Sequence, residues 1–133
     1  MRPITKIVET AVYVSDLERS EAFYKDTLGL EFVSRQLGRH VFLKAGKSML
    51  LIFNREATLL ETNLPAHGTS GPNHFAFEID QADYEQWKTR LAEHKVPIEK
   101  EVAWPTGSRS IYFRDPDNHD VELITKGNWP VID

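Results

Sequence analysis

Cysteine is absent from the chain of 133 residues. That excludes disulfides, thiolate metal sites, iron–sulfur clusters and a cysteine nucleophile. A chain of this length can bury a core without such staples. There is no basic run: sixteen Lys and Arg stand against twenty Asp and Glu, a formal net charge of −4. This balance argues against nucleic acid and anionic membrane as partners. No apolar stretch reaches the roughly 18–20 residues of a membrane span, and the first residues lack the apolar centre of a secretion signal. The expectation is a soluble, cytoplasmic protein. The rest of the composition, 41% hydrophobic and 27% charged, is that of one globular domain over residues 1–133.

The opening segment Lys6–Val14 alternates and is rich in β-branched residues, which predicts a strand. Ser15-Asp16-Leu17-Glu18 has the Ser-x-x-Glu form of a capping box. Apolar residues then recur at helical spacing as far as Leu28, and Gly29 suits the helix end. Strands follow at Glu31–Gln36, His40–Ala45 and Ser48–Asn54, with Gly38 and Gly46 in the turns. A polar linker, Arg55–Pro72, carries Leu59, Leu60 and Leu64 and reads as partly packed. The order then recurs. Asn73–Ile79 is a strand, and Asp80 is a candidate N-cap. Tyr84, Trp87 and Leu91 form the apolar stripe of a second helix, and strands follow at Ile98–Val102, Ser110–Arg114 and Val121–Thr125. Asp115-Pro116-Asp117-Asn118 is a tight turn. The chain is therefore expected to be α+β, with two tandem βαβββ modules (about 4–54 and 73–126) offset by about 65 residues, a linker at 55–72 and a tail at 127–133.

Side chains alternate across a strand. Val8, Thr10, Val12 and Val14 share one face with the character of Phe75, Phe77, Ile79, Ile111, Phe113, Val121 and Leu123. That apolar face must pack on the helices. The other face is mixed and collects Glu9, His74, Tyr112 and Glu122, together with the small or aromatic Ala11, Ala76 and Tyr13. A wet sheet face would explain such a mixture, and so would the lining of a cavity. One imidazole and two carboxylates on three strands are donors for Mn, Ni, Zn, Fe or Mg ions.

At these residues the chain resembles the vicinal oxygen chelate (VOC) superfamily, which includes glyoxalase I, fosfomycin-resistance thiol transferases, extradiol dioxygenases and bleomycin-resistance proteins. The markers are Val14–Ser20, Ala22-Phe23-Tyr24 and Leu28-Gly29-Leu30 in the first half. In the second they are Asn73–Phe77, Tyr112-Phe113-x-Asp115-Pro116-Asp117 and Val121-Glu122-Leu123. The resemblance implies that the two modules form a cup-shaped mixed sheet with the helices on its outer face. It also implies one divalent metal ion per site (Mn, Ni, Zn or Fe) held by Glu9, His74 and Glu122. Glu9 stands where His is usual. A fourth ligand position falls near Leu50, which cannot coordinate. The resemblance further implies a homodimer whose sites are shared, Glu9 of one subunit meeting His74 and Glu122 of the other.

The chemistry implied is chelation of two neighbouring substrate oxygens by a Lewis-acidic metal. The leading expectation is a glyoxalase-like lyase or isomerase acting on a small molecule. A fosfomycin-resistance-like thiol transferase, an extradiol-type dioxygenase and a non-enzymatic binder of the bleomycin-resistance kind are the alternatives. Tyr112 is the candidate hydrogen-bond donor to a substrate oxyanion, or else an aromatic packing residue. Arg109 is a candidate for an anionic substrate group, or else a loop arginine. Trp104 is a candidate at the cup mouth. His119 is expected to bond its own loop, and His40, His67 and His94 to lie at the surface.

Overall fold

The computed structural model describes residues 1–130, so Val131–Asp133 of the expected tail lie outside the described residues. The chain divides into two compact units, Met1–Ser70 and the residues from Gly71 onwards. Unit 1 contains β1 (Glu9–Val14), α1 (Leu17–Ala22) running on into a π-helical turn at Phe23–Thr27, β2 (Glu31–Gln36), β3 (His40–Ala45), β4 (Ser48–Asn54) and the short α2 (Arg55–Leu59). Unit 2 contains β5 (His74–Ile79), a 3₁₀ turn at Gln81–Asp83, α3 (Tyr84–Glu93), β6 (Ile98–Ala103), β7 (Arg109–Arg114) and β8 (Asp120–Thr125). None of the described helices is long and apolar enough to cross a membrane.

Each unit forms a mixed four-stranded sheet, in the orders β1-β4-β3-β2 and β5-β8-β7-β6. The first and last strands of each module pair in parallel, and the other pairs are antiparallel. The architecture is the expected α+β pair of βαβββ modules. The repeat holds at the level of single ladder positions. Glu9 lies opposite Met49 as His74 lies opposite Asp120, and Ala11 opposite Leu51 as Ala76 opposite Glu122. Both edge strands even break register at the same place, at Phe32/Ser34 and at Ile98/Lys100.

The period-2 sorting places one face of each sheet in a core. In unit 1, Val12, Val14, Val41, Leu43, Leu50 and Ile52 are buried with Tyr24 and Leu28, and α1 lies against β3 and β4. In unit 2, Ile79, Ile111, Phe113, Val121 and Leu123 are buried with Tyr84 and Leu91 of α3. The Tyr84 hydroxyl ties that helix to its sheet by bonding the Glu101 carboxylate at 2.8 Å and the Ser110 carbonyl.

Local details depart from expectation in four places. The first ladder begins at Glu9, and residues up to Val8 stay exposed. The N-cap of α1 is Asp16, whose carboxylate accepts from the Arg19 N–H at 3.1 Å, so the cap falls one residue past Ser15. The linker starts with α2, capped by Asn54 through the Ala57 N–H. It is anchored by the fully buried Thr58, while Leu59, Leu60 and Leu64 stay exposed. Leu50 faces the helix, so Leu51 is the ladder equivalent of Glu122. Elsewhere the turn chemistry holds: Gly29 and Asn118 take the left-handed conformation, and Asn118 N–H closes the turn on Asp115 O at 2.9 Å.

Candidate metal centre

His74 opens β5 and Glu122 sits in the middle of its parallel neighbour β8. Alternation points both side chains away from the helix-covered face. The strand start itself is fixed by the buried His119, whose Nδ1 accepts from the Asn73 N–H at 2.9 Å. The His119 backbone N–H bonds its own loop at Asp115 Oδ1, 2.8 Å away, whereas the ring reaches out of that loop to Asn73. Asp120 N–H closes the other side of that start on Asn73 O.

The imidazole of His74 is polarised by this setting. Its Nδ1 donates to the Asp120 carbonyl at 3.0 Å. A carbonyl only accepts, so the neutral ring carries its proton on Nδ1 and presents a lone pair at Nε2. That lone pair stands 3.3 Å from Oε1 of Glu122. Two acceptor atoms so close repel each other unless a cation satisfies both. Two ligands bonded at about 2.0–2.1 Å and at a tetrahedral angle are themselves about 3.3 Å apart, so the pair fits a divalent ion. A histidine whose other nitrogen is held by a backbone carbonyl is the usual form of a metal-ligating imidazole. The Asp120 carboxylate adds negative charge, with Oδ2 at 3.5 Å from His74 Nδ1 and a buried Oδ1 that has no hydrogen-bond partner among the described residues.

Glu122 is 6% exposed and is oriented from behind. Its Oε2 accepts from the Ser110 hydroxyl at 2.5 Å, and Ser110 Oγ accepts from Trp104 Nε1 at 2.8 Å. The direction of this relay is set by chemistry, because indole only donates and carboxylate only accepts. Trp104 therefore acts behind the carboxylate. Tyr112, opposite Glu122 on β7, stacks its ring at 6.1 Å from that of His74. Burial, then the Glu122 charge and hydrogen bond, push its hydroxyl above the usual phenol range. It stays protonated and able to donate. Beside it opens a cavity of about 490 Å³ lined by Glu99, Lys100, Val102, Tyr112 and Asp120.

Glu9 lies in the other unit, exposed at the start of β1 on the face shared by Ala11 and Tyr13. Among the described residues no three His, Asp or Glu side chains of one chain converge as a metal-binding group. Arg109 is on the helix-facing side of β7. Its guanidinium lies 3.9 Å over the Tyr84 ring and 3.8 Å from Glu85, so α3 holds it away from Ser110 and Glu122. Sequence reasoning did not single out Ser110 or Asp120. The signal was there, since both share the period-2 face of Tyr112 and Glu122.

Two histidines expected at the surface are partly buried on the Glu9 face of unit 1. The His40 ring stacks on Phe42 at 3.8 Å and accepts from Arg39 at 2.6 Å; burial, then the Arg39 charge, lower its pKa. His67 meets Tyr13 and packs edge-on to Phe53 at 4.8 Å. Both rings are drawn in by aromatic neighbours that are distant in sequence. His94 is exposed.

A family model described as the Glyoxalase/Bleomycin resistance protein/Dioxygenase superfamily matches residues 6–123. The chain is 35% identical to metallothiol transferase FosB of Staphylococcus epidermidis, over 92% of this chain and 82% of the relative. It is 32% identical to glutathione transferase FosA of Serratia marcescens, over 83% and 73% respectively. The crystal structure of a lactoylglutathione lyase from Agrobacterium tumefaciens superposes with a TM-score of 0.90 at 41% identity, covering 97% of this chain and 99% of that one.

Proposed function

The chain belongs to the glyoxalase/bleomycin resistance protein/dioxygenase superfamily, and from that premise we propose a divalent-metal-dependent, glyoxalase-like enzyme of the lyase or isomerase type. Its substrate is a small molecule with two neighbouring oxygens. The observation that carries this is the His74 Nε2 lone pair facing Glu122 Oε1 at 3.3 Å, with the other nitrogen tied to a carbonyl. His74 and Glu122 of one subunit and Glu9 of its partner copy would hold the ion in a homodimer with two shared sites. The metal (Mn, Ni, Zn or Fe) supplies Lewis acidity when bound. Tyr112 donates a hydrogen bond to the developing substrate oxyanion. Ser110 and Trp104 keep the Glu122 carboxylate oriented, and Asp120 fixes the imidazole tautomer.

Leu51 at the ladder position equivalent to Glu122 leaves three protein donors and open positions, the pattern of a catalytic site. The same feature favours a second reading, transfer of a thiol to a small acceptor. The likeness to the metallothiol and glutathione transferases supports it.

Protein purified without chelator should carry one equivalent of metal per subunit by elemental analysis, lost in His74→Ala and in Glu122→Ala. Glu9→Ala should also lose it. Co-expressed Glu9→Ala and Glu122→Ala chains should recover one site per mixed dimer. Turnover of lactoylglutathione marks the first reading, and thiol consumption with fosfomycin marks the second. Metal-free wild-type protein that binds an aromatic ligand tightly would overturn both in favour of sequestration.

A further inference from the structure

The guanidinium of Arg39 joins three parts of unit 1. Its Nε and Nη2 donate to Glu61 Oε1 at 2.8 and 2.6 Å, and its Nη1 donates to His40 Nδ1 at 2.6 Å. The Arg39 carbonyl fixes the same residue to the end of β4 by accepting from the Asn54 N–H at 2.8 Å. The side chains of Arg39 and Glu61 are only 15% and 21% exposed, so salt and water screen this pair less than a surface one. A guanidinium has no acceptor. His40 can therefore complete the group only as the neutral ring, with its proton on Nε2. Phe42, stacked at 3.8 Å, and Phe53, edge-on at 6.0 Å, hold the ring in that place.

Glu61 belongs to the linker, just after α2. From there the chain turns back on itself. The Glu61 and His67 N–H groups both donate to the carbonyl of the buried Thr58, at 3.3 and 3.2 Å. The His67 ring packs edge-on to Phe53 at 4.8 Å and bonds the Tyr13 hydroxyl at 2.5 Å. Tyr13 and Phe53 are opposite one another in the ladder, on the sheet face that also carries Glu9 and Ala11. Residues 61–67 thus form a strap across one end of that face, with no strand or helix of their own. Arg39 fastens one end of the strap and Tyr13 the other.

We propose that His40, Arg39 and Glu61 form a pH-sensitive latch on this strap, closed while His40 is neutral and released when the ring takes a proton. An imidazolium carries N–H on both nitrogens, so two cations would face each other across the 2.6 Å that the hydrogen bond now spans. That contact must open, and the guanidinium that swings away from His40 is the one that holds Glu61. The other charged groups around the ring do not reverse this. Asp16, Glu18 and Asp26 line the cavity that His40 shares with α1 and β2, and Glu21 there is already paired with Lys25 and Arg35. On the strap side stand Glu61 and, beyond Phe53, His67. Burial, then the Arg39 charge, lower the His40 pKa, and the Glu61 charge opposes them. Opening returns the ring to the ordinary histidine value of about 6.5. The latch is therefore whole above that value and loosens as pH falls below it.

Amide hydrogen exchange on the full chain reads the latch at the Glu61 and His67 N–H groups. Between about pH 7 and about pH 5 their protection, corrected for intrinsic exchange, should fall by up to about tenfold per pH unit. Amides of the β3–β4 ladder should keep theirs. Carboxylates of ordinary pKa stay charged over this range. ¹⁵N imidazole spectra should show His40 Nδ1 as a bare acceptor at the upper end, and its titration should coincide with the loss of strap protection. His40→Gln, whose amide oxygen still accepts from Arg39, should keep the strap protected and level throughout. Arg39→Gln should leave it poorly protected at every pH. A pH response that survives in His40→Gln belongs to His67 and overturns the proposal. Strap protection that stays level in the wild type while His40 titrates overturns it as well, and that comparison needs no variant to fold.

Discussion

Replacing Ser110 by Ala isolates the orientation of Glu122 from the donors themselves. Ser110 is fully buried and its hydroxyl is the middle link between Trp104 Nε1 and Glu122 Oε2. Removing it deletes a charge-assisted hydrogen bond of about 1.5–3 kcal/mol and a neutral one of about 1 kcal/mol. Trp104 is partly exposed, so water restores its side, and the net cost to the metal-free fold should be about 2 kcal/mol. For a chain of this size that lowers Tm by roughly 6–10 °C. Loss of a partner behind a metal ligand typically weakens affinity about 10–100-fold. Chelator competition measures the second number and thermal unfolding of stripped protein the first. Trp104→Phe should show the same pattern at smaller size, and adding it to Ser110→Ala should change affinity little, because the indole acts only through the hydroxyl. A Ser110→Ala protein with wild-type affinity, or strictly additive effects in the double variant, would refute the relay.

Glu21 is the most enclosed carboxylate of unit 1 outside the candidate site, bonded to Arg35 at 2.6 Å and Lys25 at 3.3 Å. Burial works to raise its pKa, but the hydrogen bonds and charges of Arg35 and Lys25 outweigh it and leave it lowered. A lowered carboxylate stabilises the fold above its unfolded pKa and ceases to as pH falls through the folded one. Glu21→Gln should therefore cost about 1 kcal/mol near neutrality, with the gap closing in urea titrations run below about pH 4. Tyr84 is pushed up to about 12 by burial, then by the Glu101 hydrogen bond and charge. Its contribution is complete below the ordinary phenol value near 10 and is lost as pH rises through 12. Ultraviolet titration should show a tyrosine ionising near 12 that disappears in Tyr84→Phe. Leu91→Ala, at a fully buried site, should cost about 2–5 kcal/mol in denaturant unfolding and leave metal content unchanged.

The strands were legible because the signal is local. β2, β3 and β4 start and stop where the sequence places them, since the turns at Gly38 and Gly46 separate short runs rich in apolar residues. Period-2 sorting also separated Ile111 and Phe113 from Ser110 and Tyr112 correctly. Where two neighbours offer the same chemistry, sequence is ambiguous by one residue. Ser15 and Asp16 can both cap a helix, and Leu50 and Leu51 differ only in the face they take. The partner of Arg109 was not legible, because only the folded unit brings the Tyr84 ring beneath it. His67 was out of reach altogether. Its place depends on a loop returning 54 residues later to Tyr13, and no periodicity marks that approach. Glu9 and the pair His74–Glu122 fall in separate units, and no local pattern in the sequence relates one unit to the other.

The two sheets show how one scaffold divides its labour by exchanging a single row. In unit 2 the row is Ala76, Glu122, Tyr112, with Ser110 next along β7 to donate to the carboxylate. In unit 1 the corresponding row is Ala11, Leu51, Phe42, and the place of Ser110 is taken by His40. The helix-facing rows keep their character, Val12, Ile52 and Val41 against Phe77, Leu123 and Ile111. Folding of each module depends on those apolar rows, so the outer row is free to diverge. A buried carboxylate is tolerable only with a donor behind it. Unit 2 retains both members of that pair, whereas unit 1 has neither and packs aromatic rings instead. The unequal chemistry of the halves thus follows from replacing the acid and its donor together: losing either alone would leave a buried polar group unsatisfied, and losing both costs the fold little.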